Sequence, residues 1–246
     1  MQRLLNKAAQ RIDIGDNKVV RLRQHFFEEP VAQPRLGRRI ADRSGLKLWP
    51  AALPLLEHLR VQVLPHVRRV LGRHPRVLEL GSGCGLLGIG LAAAGCGRVV
   101  LTDPGLETTF VAGEGEASTL DWLRANLDLN QEVTRSTCSV ERLVWGDADH
   151  FEAIRRAHPD GFDLVVGSDL MYESAHYAAL LATLDEFAPK RPDHPGAVLG
   201  YAHRVKGERR FVDMAAAHFV ADTQPLAGTR HGASVTAMSR NTPAGR

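Results

Sequence analysis

A chain of 246 residues, 44% of them apolar, can bury the core of one α/β domain and falls short of the length, about 250 residues, beyond which chains split. Its 31 basic and 28 acidic residues leave a formal charge of +3, too mild a surplus to predict a nucleic-acid-binding protein. Three cysteines without a C-x-x-C pair, and eleven histidines without ligand spacing, argue against a disulfide framework or a bound metal.

Residues 1–44 are polar and Arg-rich. The basic, acid-free start faintly resembles a mitochondrial presequence, but a surface helix or a frayed end is the preferred reading. Alternation in Lys18-Val19-Val20-Arg21-Leu22 predicts a short strand, so residues 1–44 are read as an arm or hairpin ahead of a domain over residues 45–246. After Pro30 and Pro34, an apolar-faced helix is expected over residues 51–71 despite Pro54 and Pro65. From residue 76 strands and helices alternate. Strands are expected at Val77-Leu78-Glu79-Leu80, at residues 99–102 ending in Asp103, at Arg142-Leu143-Val144-Trp145, at residues 162–167 and at residues 197–201. Helices are expected up to Ala94, over residues 120–130, 177–187 and 212–217. Phe219-Val220 and residues 234–238 lie too close for a crossover helix and predict an antiparallel hairpin. The fold class is therefore α/β, a Rossmann-like seven-stranded sheet, mostly parallel, with helices on both faces. No apolar run reaches the roughly 20 residues of a membrane span, and no membrane association is expected.

The loop Gly81-Ser82-Gly83-Cys84-Gly85 joins the first of these strands to a helix, which makes a nucleotide-binding corner. Gly83-Cys84-Gly85-Leu86-Leu87-Gly88 even fits the dinucleotide pattern, so an NAD-dependent oxidoreductase is the first rival. Glu79 argues against it. A carboxylate just before the turn repels a pyrophosphate, whereas S-adenosylmethionine has no phosphate and carries a cationic amine and sulfonium. The alternative for Glu79 is a buried acid paired with an arginine. Asp103 at the next strand end can accept from ribose hydroxyls. Trp145 ends the third strand, where the adenine would lie, with Asp147 able to accept from its amino group; otherwise Trp145 fills the core.

These segments resemble the seven-strand, non-SET protein methyltransferases that act mostly on lysine, among them those of calmodulin, elongation factors and chaperones. The resemblance is carried by Gly45-Leu46-Lys47-Leu48-Trp49-Pro50, residues 77–86, Leu101-Thr102-Asp103, Asn126-Leu127-Asp128-Leu129-Asn130, residues 143–147 and Val166-Gly167-Ser168-Asp169-Leu170-Met171-Tyr172. It runs from about residue 40 onward, and its more specific marks are Trp49 and the D-x-x-Y element from Asp169 to Tyr172. It implies that Trp49 covers the cofactor, that Glu79, Gly81, Ser82 and Gly83 surround its methionyl part, and that Asp103 holds the ribose. Trp145 would sit by the adenine, Ser168 would touch the cofactor, and Asp169 and Tyr172 would face the methyl acceptor. The chain departs from the family in residues 104–118, a Gly/Thr/Glu-rich insertion after Asp103 that either shapes access to the cofactor rim or is inert surface.

The expected activity is S-adenosylmethionine-dependent methyl transfer to a lysine of a protein substrate, by a cytoplasmic monomer, with nucleus or mitochondrion as alternatives. Lysine has a pKa of about 10.4, so presenting its neutral amine at pH 7 costs about 4–5 kcal/mol, which an apolar channel lowers. Asp169 would recruit and orient the amine and Tyr172 would wall the channel; the alternative for Asp169 is a helix cap. A small-molecule N-methyltransferase on the same fold is a second reading, and a non-enzymatic interaction protein a third.

Overall fold

The computed structural model describes residues 9–24, 44–109, 116–134, 137–203, 207–227 and 232–240. The start of the chain and the segment with Pro30 and Pro34 lie outside them. Strands β1 (Gln10–Asp13) and β2 (Val19–Leu22) form an antiparallel hairpin. Alternation puts Ile12, Val20 and Leu22 on one face, and all three are buried with Leu55 and Leu56 of α1 (Ala52–His58) and Ile89 of α3 (Leu86–Ala93). The N-terminal hairpin thus closes the same core as the sheet.

The helix expected over residues 51–71 is interrupted. Helix α1 passes through a wide, π-type turn at Leu59–Val63 into α2 (Leu64–Leu71). Pro65 sits in the first turn of α2 and has no N–H to return to the preceding turn, so the widened turn falls where the regular ladder would fail. The central sheet runs β10-β11-β9-β8-β3-β4-β7. Its parallel part comprises β3 (Arg76–Glu79), β4 (Arg98–Asp103), β7 (Cys138–Arg142), β8 (Leu164–Ser168) and β9 (Ala197–Ala202). Strands β10 (Phe219–Pro225) and β11 (Ala233–Arg240) form the expected antiparallel hairpin at one edge. Small strands β5 (Glu107–Thr109) and β6 (Glu116–Ser118) make the inserted segment a hairpin whose residues 110–115 lie outside the described ones.

The third strand is displaced from its expected place. It occupies β7, and Leu143-Val144-Trp145 are the loop beyond its end. As an edge strand β7 is only half-buried and mixed in polarity, so it carries little apolar signal; the stronger signal came from a loop that faces the interior. Helices α4 (Thr119–Asp128), α5 (Gln131–Thr134), α6 (Ala148–Ala157), α7 (Tyr177–Phe187) and α8 (Glu208–Ala215) complete the layers. Helix α6 was not anticipated; Asp147 caps it by accepting from the His150 N–H at 3.0 Å. Helix α4 opens on a reciprocal capping box between Ser118 and Asp121, which ends the insertion at a defined residue.

The Asn126–Asn130 motif acts as a bracket. Asn126 exchanges hydrogen bonds with the backbone of Arg23 (2.8 and 3.0 Å) and donates to the Cys84 carbonyl at 2.9 Å. Asn130 exchanges them with Arg21 (2.8 and 2.7 Å). Two buried amides, one on α4 and one in the turn that follows it, therefore hold the end of the N-terminal hairpin and the glycine loop in a common frame.

Candidate active site

Strand order reverses between β3 and β8: the chain goes from β3 outward to β4 and β7, then returns to β8 and β9 on the other side. In open α/β sheets that switch point leaves a crevice at the carboxyl ends of the strands. A cavity of about 290 Å³ lies there, lined by Trp49, Glu79, Gly81, Ser82, Gly83, Asp103, Trp145, Ser168, Asp169 and Tyr172. Apart from Asp147, the residues expected at the cofactor or the acceptor face this one space. Asp147 does not line it, and its carboxylate is engaged as the cap of α6.

The floor is the corner between β3 and α3. Gly81 and Gly83 both adopt positive φ (+59° and +51°), a region open to glycine at no steric cost. A Cβ on Gly83 would stand 3.2 Å from the Gly45 carbonyl, so the loop runs directly under the segment that leads to Trp49. Glu79 is 2% exposed and accepts from the Gly88 N–H at 3.1 Å. Burial pushes its pKa up from 4.5 to about 8, against the Ser82 hydroxyl and the Gly88 N–H, which favour the ionised form. The arginine partner that would have made Glu79 a structural ion pair is not found among the described residues.

Asp103 accepts from the Gly83 N–H at 3.1 Å and from the Thr119 hydroxyl, tying the glycine loop to the first turn of α4. It also accepts from the Gly105 N–H at 3.4 Å, so a ribose diol reaching Asp103 would share or displace some of these donors. Asp169 has φ +58°, one of few positive values outside glycine. Its Oδ2 accepts from Ala51 N at 2.9 Å and its Oδ1 from Ala202 N at 3.1 Å. It is therefore not a cap for the helix that follows it; it joins the entry of α1 to the end of β9. Tyr172, three residues on, is 45% exposed at the cavity mouth.

Three features favour a nucleoside-like ligand with a cationic group. The indole N–H of Trp145 is buried without a hydrogen-bond partner and lines the cavity. The glycine corner leaves backbone open to close approach. The acids Glu79 and Asp103 flank it. Sequence reasoning did not single out Lys47, Thr119 or His176, which also line the cavity. Lys47 Nζ lies 4.9 Å from the Trp49 ring centroid, and the His176 ring meets Trp145 edge-on at 6.5 Å. Thr119 was legible in principle, one residue past the capping Ser118; His176 carried no signal.

A family profile described as "Lysine methyltransferase" matches residues 35–218. Among curated proteins the chain is 30% identical over 155 residues to Protein-lysine N-methyltransferase EFM3 of Chaetomium thermophilum, covering 61% of this chain and 40% of that protein. It is 30% identical over 142 residues to Protein N-lysine methyltransferase METTL21A of Danio rerio (57% and 54% covered). It is 28% identical over 174 residues to Histone-arginine methyltransferase METTL23 of Mus musculus (68% and 60% covered). The matched regions thus span from 40% to 60% of these relatives' lengths.

Proposed function

The chain belongs to the lysine methyltransferase family, and from that premise we propose that it transfers a methyl group from S-adenosylmethionine to the side-chain amine of a lysine in a protein substrate. One observation carries the reading: side chains from separate strand ends, together with the Trp49 segment, line a single cavity at the switch point of the sheet. The bound cofactor supplies an electrophilic methyl group on a sulfonium. Glu79 and the glycine corner hold its cationic methionyl part, Asp103 holds the ribose diol, and the free Trp145 N–H and the indole face meet the base. Ser168, at the end of β8, touches the cofactor beside the acceptor.

Asp169 and Tyr172 are the acceptor-side pair. The Asp169 carboxylate, fixed by two backbone N–H groups, presents a rigid negative wall that draws in the cationic side chain and orients the amine. Tyr172 reaches the mouth, where its ring walls the lysine stem and its hydroxyl can take a hydrogen bond. The methyl acceptor must lose a proton before it attacks, and solvent at the open mouth receives it. The three cysteines are free, which supports a reducing compartment such as the cytoplasm. Among the described residues no helix is long and apolar enough to cross a membrane.

The test is transfer of labelled methyl groups from S-adenosylmethionine in a protein extract. Label recovered as methyl-lysine on intact protein supports the reading. Label recovered as methyl-arginine would change the acceptor, and label confined to the small-molecule fraction would move the activity to a metabolite.

A further inference from the structure

Residues 45–51 form a strap across the cavity. At one end the Gly45 carbonyl lies over Gly83 and receives the Cys84 thiol at 3.7 Å; at the other the Ala51 N–H is fixed on Asp169. Lys47 is in the middle of this strap, exposed, with its ammonium on the Trp49 ring. Among the described residues it is the one lysine or arginine that lines the cavity, alongside the acids Glu79, Asp103 and Asp169.

We propose that Lys47 is the cofactor-positioning cation of this site, closing over the methionyl carboxylate while Glu79 takes the amine. This rests on the reading of the cavity as an S-adenosylmethionine site. A free amino-acid end carries both charges, and the glycine corner with Glu79 accounts for one of them. A carboxylate placed among three acids needs a positive partner, and the strap that crosses the glycine corner at Gly45 brings Lys47 into the lining of the same cavity. The contact with Trp49 holds the flexible four-carbon stem over the cavity, so less freedom is lost when the ammonium turns to a ligand. The pair is at the rim, so it discriminates between ligands and responds to salt more than it sets overall affinity.

The test compares two ligands that differ at that end, S-adenosylhomocysteine and 5′-methylthioadenosine, which has neither the amine nor the carboxylate. By calorimetry Lys47→Met should weaken S-adenosylhomocysteine roughly fivefold or more and change 5′-methylthioadenosine by less than about twofold. Lys47→Arg should recover most of the loss, and added salt should weaken S-adenosylhomocysteine more in the native protein than in Lys47→Met. Equal weakening of both ligands would reduce Lys47 to a prop for Trp49 and overturn the proposal. So would a methyl group found on Lys47 after incubation with S-adenosylmethionine, because its amine would then lie at the sulfonium end. A native protein that binds neither ligand overturns the cofactor reading and the Lys47 contact together. One that binds both, with a ratio indifferent to Lys47→Met, overturns the Lys47 contact alone.

Discussion

The two ends of the parallel strands both bury a carboxylate and treat it oppositely. At the amino end, Asp163 receives Arg73 through two bonds at 2.7 and 2.8 Å and the Arg76 N–H at 2.8 Å. Burial alone would raise its pKa, but the two guanidinium groups outweigh that and hold it at about 2. At the carboxyl end, Glu79 lies deeper, has a backbone N–H but no guanidinium, and its pKa rises to about 8. The first end is complete in itself. The second gains most from a cation that arrives from outside, which is what a sulfonium and an amine provide. The proposed methyl transfer lies at the end of the sheet whose buried acid lacks a cationic partner among the described residues.

The comparison breaks most visibly at Asp169, which belongs to both kinds. Asp169→Ala strands two buried N–H groups, at about 1–3 kcal/mol each, and puts alanine at a positive φ. A fall in stability on the order of 2–6 kcal/mol is expected in urea titration. Asp169→Asn tolerates the backbone and keeps one acceptor, so it should remain folded while methyl transfer falls at least roughly tenfold, about 1.4 kcal/mol of barrier. Tyr172→Phe should lose less. Full activity in Asp169→Asn would remove Asp169 from the acceptor side and leave it a brace.

Asp103→Ala comes next. Loss of charge-assisted hydrogen bonds to a diol should weaken S-adenosylhomocysteine by about 1.5–3 kcal/mol in calorimetry. The freed Gly83 N–H and Thr119 hydroxyl will also loosen the corner, so binding of the base-truncated methionine portion is the control. An unchanged dissociation constant would refute the assignment.

The ionisation contrast gives a smaller, sign-specific effect. Native Glu79 keeps its proton between pH 4.5 and about 8, where the unfolded chain has lost it. The ligand-free protein should therefore lose stability as pH rises through that window, and Glu79→Gln should flatten the slope of Tm against pH. Asp163 acts in reverse: its contribution is present above 3.8 and is lost as pH falls towards 2. Smallest of all is the insertion. A short turn in place of residues 104–118 should shift Tm by only a few degrees, since loop closure is cheap. Loss of the cooperative melt would place that hairpin in the core.

What was legible in the sequence follows the same divide. The run from Val77 through the glycine loop and Asp103 at the end of β4 could be read, because a buried parallel strand is a continuous apolar word that stops at a polar or glycine residue, whereas Ser168 to Tyr172, from the last residue of β8 onward, were marked by the resemblance to the methyltransferase family. Strand β7 could not, because an edge strand needs only half its face apolar. Nor could the partners of Asp169, which lie 118 and 33 residues away and are brought near only by the sheet order. Lys47 stood within a recognised segment yet drew no notice, since an exposed lysine has no meaning until the strap crosses a cavity.

The central claim is that the strand-end cavity takes a cationic nucleoside in place of a dinucleotide. Titrating the protein at pH 7 with S-adenosylhomocysteine and with NAD, in buffers of different ionisation enthalpy, tests it most directly. Saturable binding of S-adenosylhomocysteine accompanied by proton release, as the ligand amine draws Glu79 into its ionised form, with no binding of NAD, is the expected result. Tight NAD binding with no response to S-adenosylhomocysteine would contradict it.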